Sequence, residues 1–396
     1  MKAHALARPA WPWLHGHRLA AAWLRFVTDR FLWLPVGAAI ALVWANTAAE
    51  SYFRLAHTLA FPVNEIGMAV FLGLITQEAI ESLMPGGTLH TWRRWAMPIV
   101  AAAGGLLGST FVYLGYISLR YEEVLAPAWP VACAIDMAAG YYVLKTIFRR
   151  SRTAADFLLI LGIASNAVGI LILAVWPAFT PDHLGAGLLL VSAVGLAALL
   201  RRAHVRTFWP YFALGGTVSW FAFHWAGVHP ALALVPIVPF LPHRPRRQNP
   251  FTDPTGEGAV PHAEREWNAI AQAVLFLFGL VNAGVILRGV DTGSWAVLTA
   301  AVVGRPIGVL AAIGLGLAVG FRLPAHLRWR ELTVIALATS SGFTFALFAA
   351  TSLLPPGAVL TQIKLGALST VVGALAAYAA AWRLRVGRFA ATASHT

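Results

Sequence analysis

Long apolar runs alternate along this chain with short connectors that hold most of the charged residues. A helix needs about 20 mostly apolar residues to cross the hydrocarbon core of a bilayer. The pattern therefore predicts twelve transmembrane helices, near residues 31–48, 59–83, 95–118, 129–148, 155–176, 183–200, 206–222, 224–241, 267–288, 294–320, 331–353 and 358–382. The two runs between 206 and 241 are closely spaced and could be divided differently. The predicted fold class is an all-α polytopic membrane protein.

The polar segments between these runs divide the chain into five predicted parts. They are a cytoplasmic N-terminal segment at 1–30, transmembrane helices 1 to 8 at 31–242, a cytoplasmic linker loop at 243–266, transmembrane helices 9 to 12 at 267–388, and a C-terminal tail at 389–396. The N-terminal segment lacks the clean apolar core and small-residue cleavage site of a signal peptide. The linker is rich in proline, glycine and charge, and its two histidines have no spacing typical of a metal site.

The distribution of the basic residues predicts the orientation. If both termini are cytoplasmic, 24 of the 29 lysines and arginines fall in cytoplasmic segments, and only Arg54, Arg120 and Arg288 fall outside. Cytoplasmic loops carry the excess of Lys and Arg in membrane proteins. We therefore expect both termini to be cytoplasmic. The two remaining cations, Arg305 and Lys364, lie inside predicted helices.

The composition narrows the class of protein further. The chain has 396 residues, of which 59% are hydrophobic and 11% charged, which is far from a soluble domain. Its net charge of +13 comes from short arginine clusters between apolar runs, so we predict no nucleic-acid binding. Cys133 is the single cysteine, which excludes an internal disulfide and a cysteine-cluster metal site. No predicted helix has a nucleophile–base or metal-ligand spacing, so neither an enzyme nor a cofactor is expected.

Polar side chains inside the predicted helices are the candidates for chemistry. An ionised side chain at that depth costs roughly 2.5–3.5 kcal/mol on insertion scales, so it is retained where it has a function. The candidates are Asp136, Glu65, Glu78, Asn166, Asn282, Arg305, Thr344 and Lys364. By elimination, Asp136 is the natural partner of Arg305. Because arginine does not release its proton in a protein, this pair would supply a fixed charge and no proton relay.

Each of these residues also has a plainer interpretation. The Asp136–Arg305 pair could serve only to fix the register of two helices. Lys364 lies near the start of a helix and could extend to the membrane surface. Glu78 lies near a cytoplasmic helix end, where it could line an open funnel. Glu65 lies 13 residues before it in the same predicted helix.

Small residues predict both a break and close packing. The run SSGFTF at 340–345 places Ser, Gly and Thr in mid-helix, where an unwound segment could expose backbone carbonyls to a cavity. Ordinary helix packing also uses such residues. Glycines spaced by four residues predict close helix contacts at Gly104/Gly108, Gly304/Gly308 and Gly316/Gly320.

Several motifs, taken together in their order, resemble the bacterial NhaA-type sodium/proton antiporters over about residues 31–388. They are VNEIGMAVF at 63–71 with Glu78 following, MPIVAAAGG at 97–105, AIDMA at 134–138, AGVHPALA at 226–233, VNAGV at 281–285, GRPIG at 304–308, SGFT at 341–344 and KLGAL at 364–368. The resemblance implies exchange of monovalent cations for protons across the inner membrane, serving pH and sodium homeostasis. The partners implied are the lipid bilayer, protons and monovalent cations, with a homodimer as a further possibility.

The same resemblance implies an architecture for which this family is itself a standard example. Two inverted three-helix units would occupy about 95–176 and 294–382, with discontinuous helices crossing around Asp136 and Gly342. In the family a carboxylate and a lysine offset the partial charges of the half-helix ends. By position these would be Asp136 and Lys364.

The chain departs from the family pattern at the ion site. The paired aspartates of the family's D-D-x-G sequence are replaced by Asn166-Ala167-Val168-Gly169, and the tenth-helix lysine by Arg305. Ile135 stands where a threonine precedes the aspartate, the second-helix E-x-K-x-E run loses its lysine at Ile80, and the ninth-helix histidines are absent from 263–267. If a sodium ion binds, Asp136 and Asn166 with backbone carbonyls are the ligands that remain. We therefore predict a secondary transporter with altered or lost sodium coupling. The alternative is a transport-inactive regulatory or partner-binding protein on the same fold.

Overall fold

The computed structural model describes residues 33–83, 92–134, 137–148, 152–175, 183–205, 207–241, 262–287, 289–323 and 327–390. Within these ranges every regular element is helical, which confirms the predicted all-α class. Several predictions fall outside the described residues: those on both termini, on nearly all of the linker loop, on Arg288, and on Asp136 with Ile135. Glu78 belongs to a described helix, but its side chain is not among the described ones.

The helices are numbered here in chain order. They are α1 (Trp33–Thr47), α2 (Ala49–Phe61), α3 (Met68–Leu83), α4 (Trp92–Arg120), α5 (Trp129–Ala132), α6 (Met137–Ile147), α7 (Arg152–Val175), α8 (His183–Arg202), α9 (Thr217–Trp225), α10 (His262–Asn282), α11 (Thr292–Thr299), α12 (Arg305–Ala318), α13 (Trp329–Ala338), α14 (Phe343–Leu353), α15 (Ala358–Ser369) and α16 (Val372–Arg383). Three wider π turns lie next to these helices. Pro62–Gly67 joins α2 to α3, Tyr211–Gly216 precedes α9, and Ala300–Gly304 joins α11 to α12.

Six continuous helices in the described ranges are long and apolar enough to cross a membrane. They are Ala49–Glu81, Trp95–Arg120, Thr153–Val175, Leu184–Arg202, Thr292–Ala318 and Ala358–Phe389. The pair α13 and α14 makes a seventh span if it is counted as one broken helix, and the helices Trp33–Thr47 and Ile270–Asn282 are shorter but apolar. The predicted count of twelve is not confirmed.

The prediction of a transmembrane α-helix at 224–241 is wrong. After α9 ends at Trp225, the segment continues as turns with two short 3₁₀ helices, Pro230–Leu232 and Val238–Phe240. Three prolines in this stretch remove backbone donors, so an α-helical ladder cannot continue through it. The segment is apolar because it is packed inside the protein: Ala231, Leu232 and Ile237 are almost fully buried.

Two broken helices pair with each other. In one, α5 ends at Ala132 and α6 begins at Met137; in the other, α13 and α14 are bent by 43°. Half-helix α5 packs against α14, and half-helix α6 packs against α13. This is the arrangement of two antiparallel broken helices that cross at their interruptions, as the resemblance implied. Gly342 directly precedes α14, so the predicted break at this glycine is confirmed.

The crossing separates two hydrophobic clusters. One contains Leu125, Val131 and Ala132 of the α5 end together with the α14 residues from Phe343 onward. The other contains Tyr141 to Phe148 of α6 together with Leu332 to Ala338 of α13. Apolar packing therefore holds the half-helices on each side, and the polar residues of the breaks lie between the two clusters.

Helices α4 and α12 approach each other as closely as their backbones allow. A Cβ atom built on Gly104 would lie 2.4 Å from the Gly308 carbonyl oxygen, and one on Gly308 would lie 2.1 Å from that of Gly104. Gly108 and Gly304 face each other in the same way. The predicted close packing of these glycine pairs is therefore confirmed, and it joins the first predicted three-helix unit to the second.

Helix α10 ends at Asn282, six residues before its predicted end at 288. The Tyr52 hydroxyl, almost fully buried, lies 3.0 Å from the carbonyl oxygens of both Leu280 and Val281 and accepts a hydrogen bond from Gly284 N at 2.9 Å. Asn46 donates to the Val285 carbonyl and accepts from Leu287 N, both at 2.9 Å. These side chains satisfy the backbone groups that a continuing helix would otherwise bond, so the chain can leave the helix there.

Candidate functional site

The interruption between α13 and α14 places buried hydroxyl groups at the crossing. Ser340 and Ser341 are 0% and 1% exposed, and neither hydroxyl has a hydrogen-bond partner among the described residues. Thr370, between α15 and α16, accepts a hydrogen bond from Gly342 N at 3.3 Å. Gly373 lies directly against this segment, because a Cβ there would lie 2.7 Å from that of Ser340. The break is thus fixed by α16, while two serine hydroxyls remain available to a bound species or to water.

The middle of α7 runs alongside the same break. At one end of this stretch, Leu158 of α7 lies near Gly140 of α6. A Cβ built on Gly140 would lie 3.4 Å from Leu158 and 3.2 Å from the carbonyl oxygen of Ala338, the last residue of α13. Further along, a Cβ on Gly169 would lie 2.7 Å from the Phe345 ring in α14. Helix α7 therefore spans the interval from the end of α13 to the start of α14, and residues near 163–166 lie opposite the break.

Ser165 and Asn166 occupy this part of α7. Each is 3% exposed, and the Ser165 hydroxyl and the Asn166 Oδ1 have no hydrogen-bond partner in the described part of the chain. Asn166 lies three residues before Gly169 and so shares its helix face, which is the face toward α14. Buried oxygens without partners cost free energy, so this face is suited to a water molecule or another polar species.

Arg305 brings a permanent charge to the end of α5. The Arg305 side chain is 0% exposed. Arg305 is the first residue of α12 and follows the Ala300–Gly304 π turn. The wider turn suits Pro306, because proline has no backbone N–H to donate to the preceding turn. The Arg305 Nη2 donates a hydrogen bond to the carbonyl oxygen of Cys133, the residue that directly follows α5. Helix C-terminal carbonyls carry partial negative charge, so the guanidinium offsets the charge of this half-helix end.

The remaining contacts of Arg305 show how it is held. A Cβ on Gly105 would lie 3.6 Å from the Arg305 Cγ, so the stem of the side chain packs against α4. The Cys133 thiol lies 3.1 Å from the Thr110 hydroxyl, which fixes the end of α5 to the same helix. Arg305 Nε and Nη1 have no partner among the described residues. The guanidinium thus has one fixed contact, and two of its three nitrogen atoms have no partner among the described residues.

Over residues 28–383 the chain matches the family model described as Na+/H+ antiporter 1. This chain belongs to that antiporter family. The protein named Na(+)/H(+) antiporter NhaA of Desulfitobacterium hafniense (strain DSM 10664 / DCB-2) is 37% identical over 371 residues, which cover 90% of this chain and 94% of that protein. The protein named Na(+)/H(+) antiporter NhaA 1 of Pelobacter propionicus is 37% identical over 366 residues, which cover 89% and 95%.

A solved structure has the same fold as this antiporter. It is the sodium proton antiporter MjNhaP1 from Methanocaldococcus jannaschii at pH 8, with a TM-score of 0.54, 15% sequence identity and coverage of 91% of both chains. The predicted family and the NhaA-type helical fold are therefore confirmed. The antiporter is a transporter of the bacterial inner membrane.

In the antiporter fold some of the predicted site residues lie at the crossing of the broken helices, and others lie away from it. Asn166, Arg305 and Thr344 lie on elements of the crossing, and Thr344 is 7% exposed in the first turn of α14. Lys364 lies in α15, which packs against α14 and α5, and no hydrogen bond or ion pair joins it to another described residue. Glu65 lies elsewhere, in the Pro62–Gly67 turn. The Asp136–Arg305 pair stays a prediction, because Asp136 lies outside the described residues.

Asn282 also lies away from the crossing. Its amide and that of Asn64 exchange hydrogen bonds of 2.7 and 3.2 Å, which join α10 to the Pro62–Gly67 turn of the antiporter. This reciprocal pair satisfies the buried Asn282 amide and the partly buried Asn64 amide with each other. Asn282 is therefore a structural link between two helices of this antiporter.

Sequence reasoning missed three contributors to the site. Ser165 could have been found from its place directly before the expected ion motif, which begins at Asn166. No sequence pattern pointed to Thr370, because its hydrogen bond with Gly342 depends on how α16 packs. The Cys133 carbonyl gave none either, since any residue carries such an oxygen. In the described part of this antiporter no group of three or more His, Cys, Asp or Glu side chains could hold a metal ion.

Proposed function

We propose that this antiporter-family protein is a secondary transporter whose central site uses neutral oxygens and fixed positive charge, so that its sodium coupling is altered or lost. The observation that supports this most directly is the buried face of Ser165 and Asn166 opposite the Ser340–Ser341 break. These groups can accept and donate hydrogen bonds but do not titrate.

The chemistry of sodium explains why neutral ligands change the coupling. A hard cation gives up its water only for several oxygen ligands, and anionic oxygens compensate best for the lost hydration. The resemblance places the family's two carboxylates at the positions of Asn166 and Ala167. Asn166 supplies one neutral oxygen, and Ala167 supplies none. A sodium ion would then depend on Asp136, Asn166 and backbone carbonyls.

Proton exchange is weakened by the same replacement. Antiport needs a group that takes up a proton when the ion leaves. Neither Asn166 nor Ala167 can do so, and Arg305 keeps its proton. Asp136 is the remaining acid that the resemblance assigns to this site. In the proposal Asp136 pairs with Arg305. The Nε and Nη1 atoms of Arg305, which have no partner among the described residues, support that assignment.

Charge also opposes cation entry. Arg305 is buried at the end of α5, and the partly buried Lys364 lies on a helix that packs against α5. A buried guanidinium, and an ammonium group near it, raise the electrostatic energy of an entering cation in a medium of low dielectric constant. The proposal includes a cytoplasmic location for both termini, supported by the charge distribution, and assembly as a homodimer, supported by the family resemblance alone.

The test is ion flux in proteoliposomes. Purified protein is reconstituted with a pH-sensitive dye inside, and sodium, lithium or potassium is added outside at fixed membrane potential. We expect little or no sodium- or lithium-driven proton movement between about pH 6 and 9, the range in which ordinary exchange groups titrate. The Desulfitobacterium relative, prepared in the same way, is the positive control. Rapid sodium-driven proton movement by the unmodified chain would overturn the proposal.

A further inference from the structure

The outer ends of α13 and α16 lie side by side at one surface of the helical bundle. Helix α13 leads into the break at Ser340, and α16 begins beside that break, where Gly373 lies against Ser340. The two helices pack against each other, so α16 runs back along α13 in the opposite direction. Eleven residues separate Trp329, the first residue of α13, from the break, and ten separate Arg383, the last residue of α16, from Gly373. At a rise of 1.5 Å per residue, both ends therefore lie about 15 Å from the crossing.

This distance places both helix ends at the boundary between hydrocarbon and lipid headgroups. The broken helices of this family, itself a standard example of the architecture, cross near the midplane of the bilayer. The hydrocarbon core is about 30 Å thick, so its boundary lies about 15 Å from the midplane. Trp329 and Trp382 are 50% and 67% exposed at these two ends. Tryptophan is enriched at membrane–water interfaces, so both side chains agree with this depth.

Exposed arginines accompany the two tryptophans. They are Arg328, Arg330, Arg383, Arg385 and Arg388. No ion pair joins any of the five to another residue within the described ranges. Glu331, an acid in the first turn of α13, accepts a hydrogen bond from the backbone N of Arg328 at 3.0 Å and so caps the helix. The five guanidinium groups therefore form a basic cluster without paired acids among the described residues.

The segment that follows α16 holds part of this basic cluster in place. Val386 is 3% exposed and packs in the same hydrophobic cluster as Ile147 of α6. A Cβ on Gly387 would clash with the Ile147 carbonyl oxygen, so the backbone lies directly against the end of α6. The Arg388 guanidinium lies 5.6 Å from the centre of the Tyr378 ring in α16. These contacts fix the backbone from which the last arginines of the cluster extend.

The chemistry of the basic cluster distinguishes between possible partners. Guanidinium binds phosphate oxygens through paired hydrogen bonds, and basic clusters next to membrane helices attract anionic lipids. A free phosphate ion would use the arginines and leave the exposed indoles unused. An acidic soluble protein would not reach indoles at the hydrocarbon boundary. A phospholipid places its phosphate and its first acyl carbons at this level together, so it uses both kinds of side chain.

We propose that the adjoining ends of α13 and α16 bind the headgroup of an anionic phospholipid. Its phosphate lies among the arginines, and its acyl chains begin beside Trp329 and Trp382. The negative charge of the lipid offsets a group of cations that the described residues leave unpaired. This site is separate from the central crossing and does not depend on which ion is transported there.

The first test compares two lipids on the full chain in an uncharged detergent. Native mass spectrometry measures the affinity for phosphatidylglycerol and for phosphatidylcholine with the same acyl chains, which differ in headgroup charge. We expect phosphatidylglycerol to bind at least fivefold more tightly. Glycerol phosphate, which has the charge but no acyl chains, should not displace it at equal concentration. Equal affinity for the two lipids, or displacement by glycerol phosphate, would overturn the proposal, and neither measurement requires a variant.

Variants then locate the site. Arg330→Gln with Arg383→Gln removes one exposed guanidinium from each helix end, and it should weaken phosphatidylglycerol binding at least fivefold while leaving phosphatidylcholine binding unchanged. The matched control is Arg54→Gln with Arg120→Gln, which makes the same change in net charge at exposed arginines of α2 and α4. Thermal unfolding checks that both double variants are folded. Equal losses of phosphatidylglycerol affinity in the two double variants, or no loss in the first, would contradict the assignment to α13 and α16.

Discussion

Arg305 Nη2 donates a hydrogen bond to the Cys133 carbonyl oxygen, although the two residues are 172 positions apart in the chain. The contact joins the start of α12, in the second predicted three-helix unit, to the end of half-helix α5 in the first. Because guanidinium is planar and always charged, it can hold a backbone carbonyl and a carboxylate at once. This geometry underlies the first prediction.

The proposed Asp136–Arg305 pair can be measured by a double-mutant cycle. Asp136→Asn should destabilise the protein by about 3–5 kcal/mol, because it leaves a buried guanidinium without its counter-charge. Combining it with Arg305→Met should recover much of that loss, since no buried charge then remains. Thermal unfolding in detergent reports both values. Strictly additive losses would show that the two side chains do not interact.

Restoring the missing acids should restore part of the family chemistry. The double substitution Asn166→Asp with Ala167→Asp returns two titratable carboxylates to the face of α7 opposite the break. We expect sodium-driven proton movement in proteoliposomes to rise above that of the wild-type chain. The isosteric control is Ala167→Asn with Asn166 unchanged, which adds polarity without charge. If the two variants behave alike, charge at these positions does not determine coupling.

The contact between α4 and α12 predicts a large effect from a very small change. Gly308→Ala should destabilise the protein by about 1–3 kcal/mol or more, because its methyl group would meet the Gly104 carbonyl oxygen and force the helices apart. Gly115→Ala in α4 is the control, since nothing lies within 4 Å of its Cβ. That change should be neutral or stabilising by about 0.5–1 kcal/mol through helix propensity. Similar unfolding temperatures for the two variants would rule out backbone contact at Gly308.

Cysteine labelling tests the predicted orientation. In a variant with Cys133→Ala, a cysteine at Thr255 should resist a membrane-impermeant maleimide added to intact cells, whereas one at Asp291 should react. Position 255 lies in the predicted cytoplasmic loop, and position 291 lies in an outer connector. Labelling of both in permeabilised cells controls for accessibility. The opposite pattern in intact cells would reverse the orientation.

The amino-acid pattern by itself determined the membrane class, the approximate limits of most helices and the close approach at Gly104 and Gly308, whereas the break at Gly342 was predicted from the family resemblance. These features depend on local properties: an apolar run partitions into a bilayer wherever it occurs, and glycine permits close approach wherever a helix presents it. The loss of the two acids at Asn166 and Ala167 could likewise be read directly from the sequence, because it needs only the comparison of a short motif.

Tertiary structure decided where residues far apart in sequence meet. It ended α10 early, since Tyr52 and Asn46 satisfy the backbone groups that follow Leu280. It turned the apolar stretch at 224–241 into buried turns, and it placed Glu65 beside Trp220 and away from the crossing. A membrane-facing helix and a buried turn can have equally apolar sequences, so hydropathy does not distinguish them. Which groups form a hydrogen bond depends on how the helices pack. The sequence therefore fixes which segments leave water, while only the assembled helices decide which polar groups face one another.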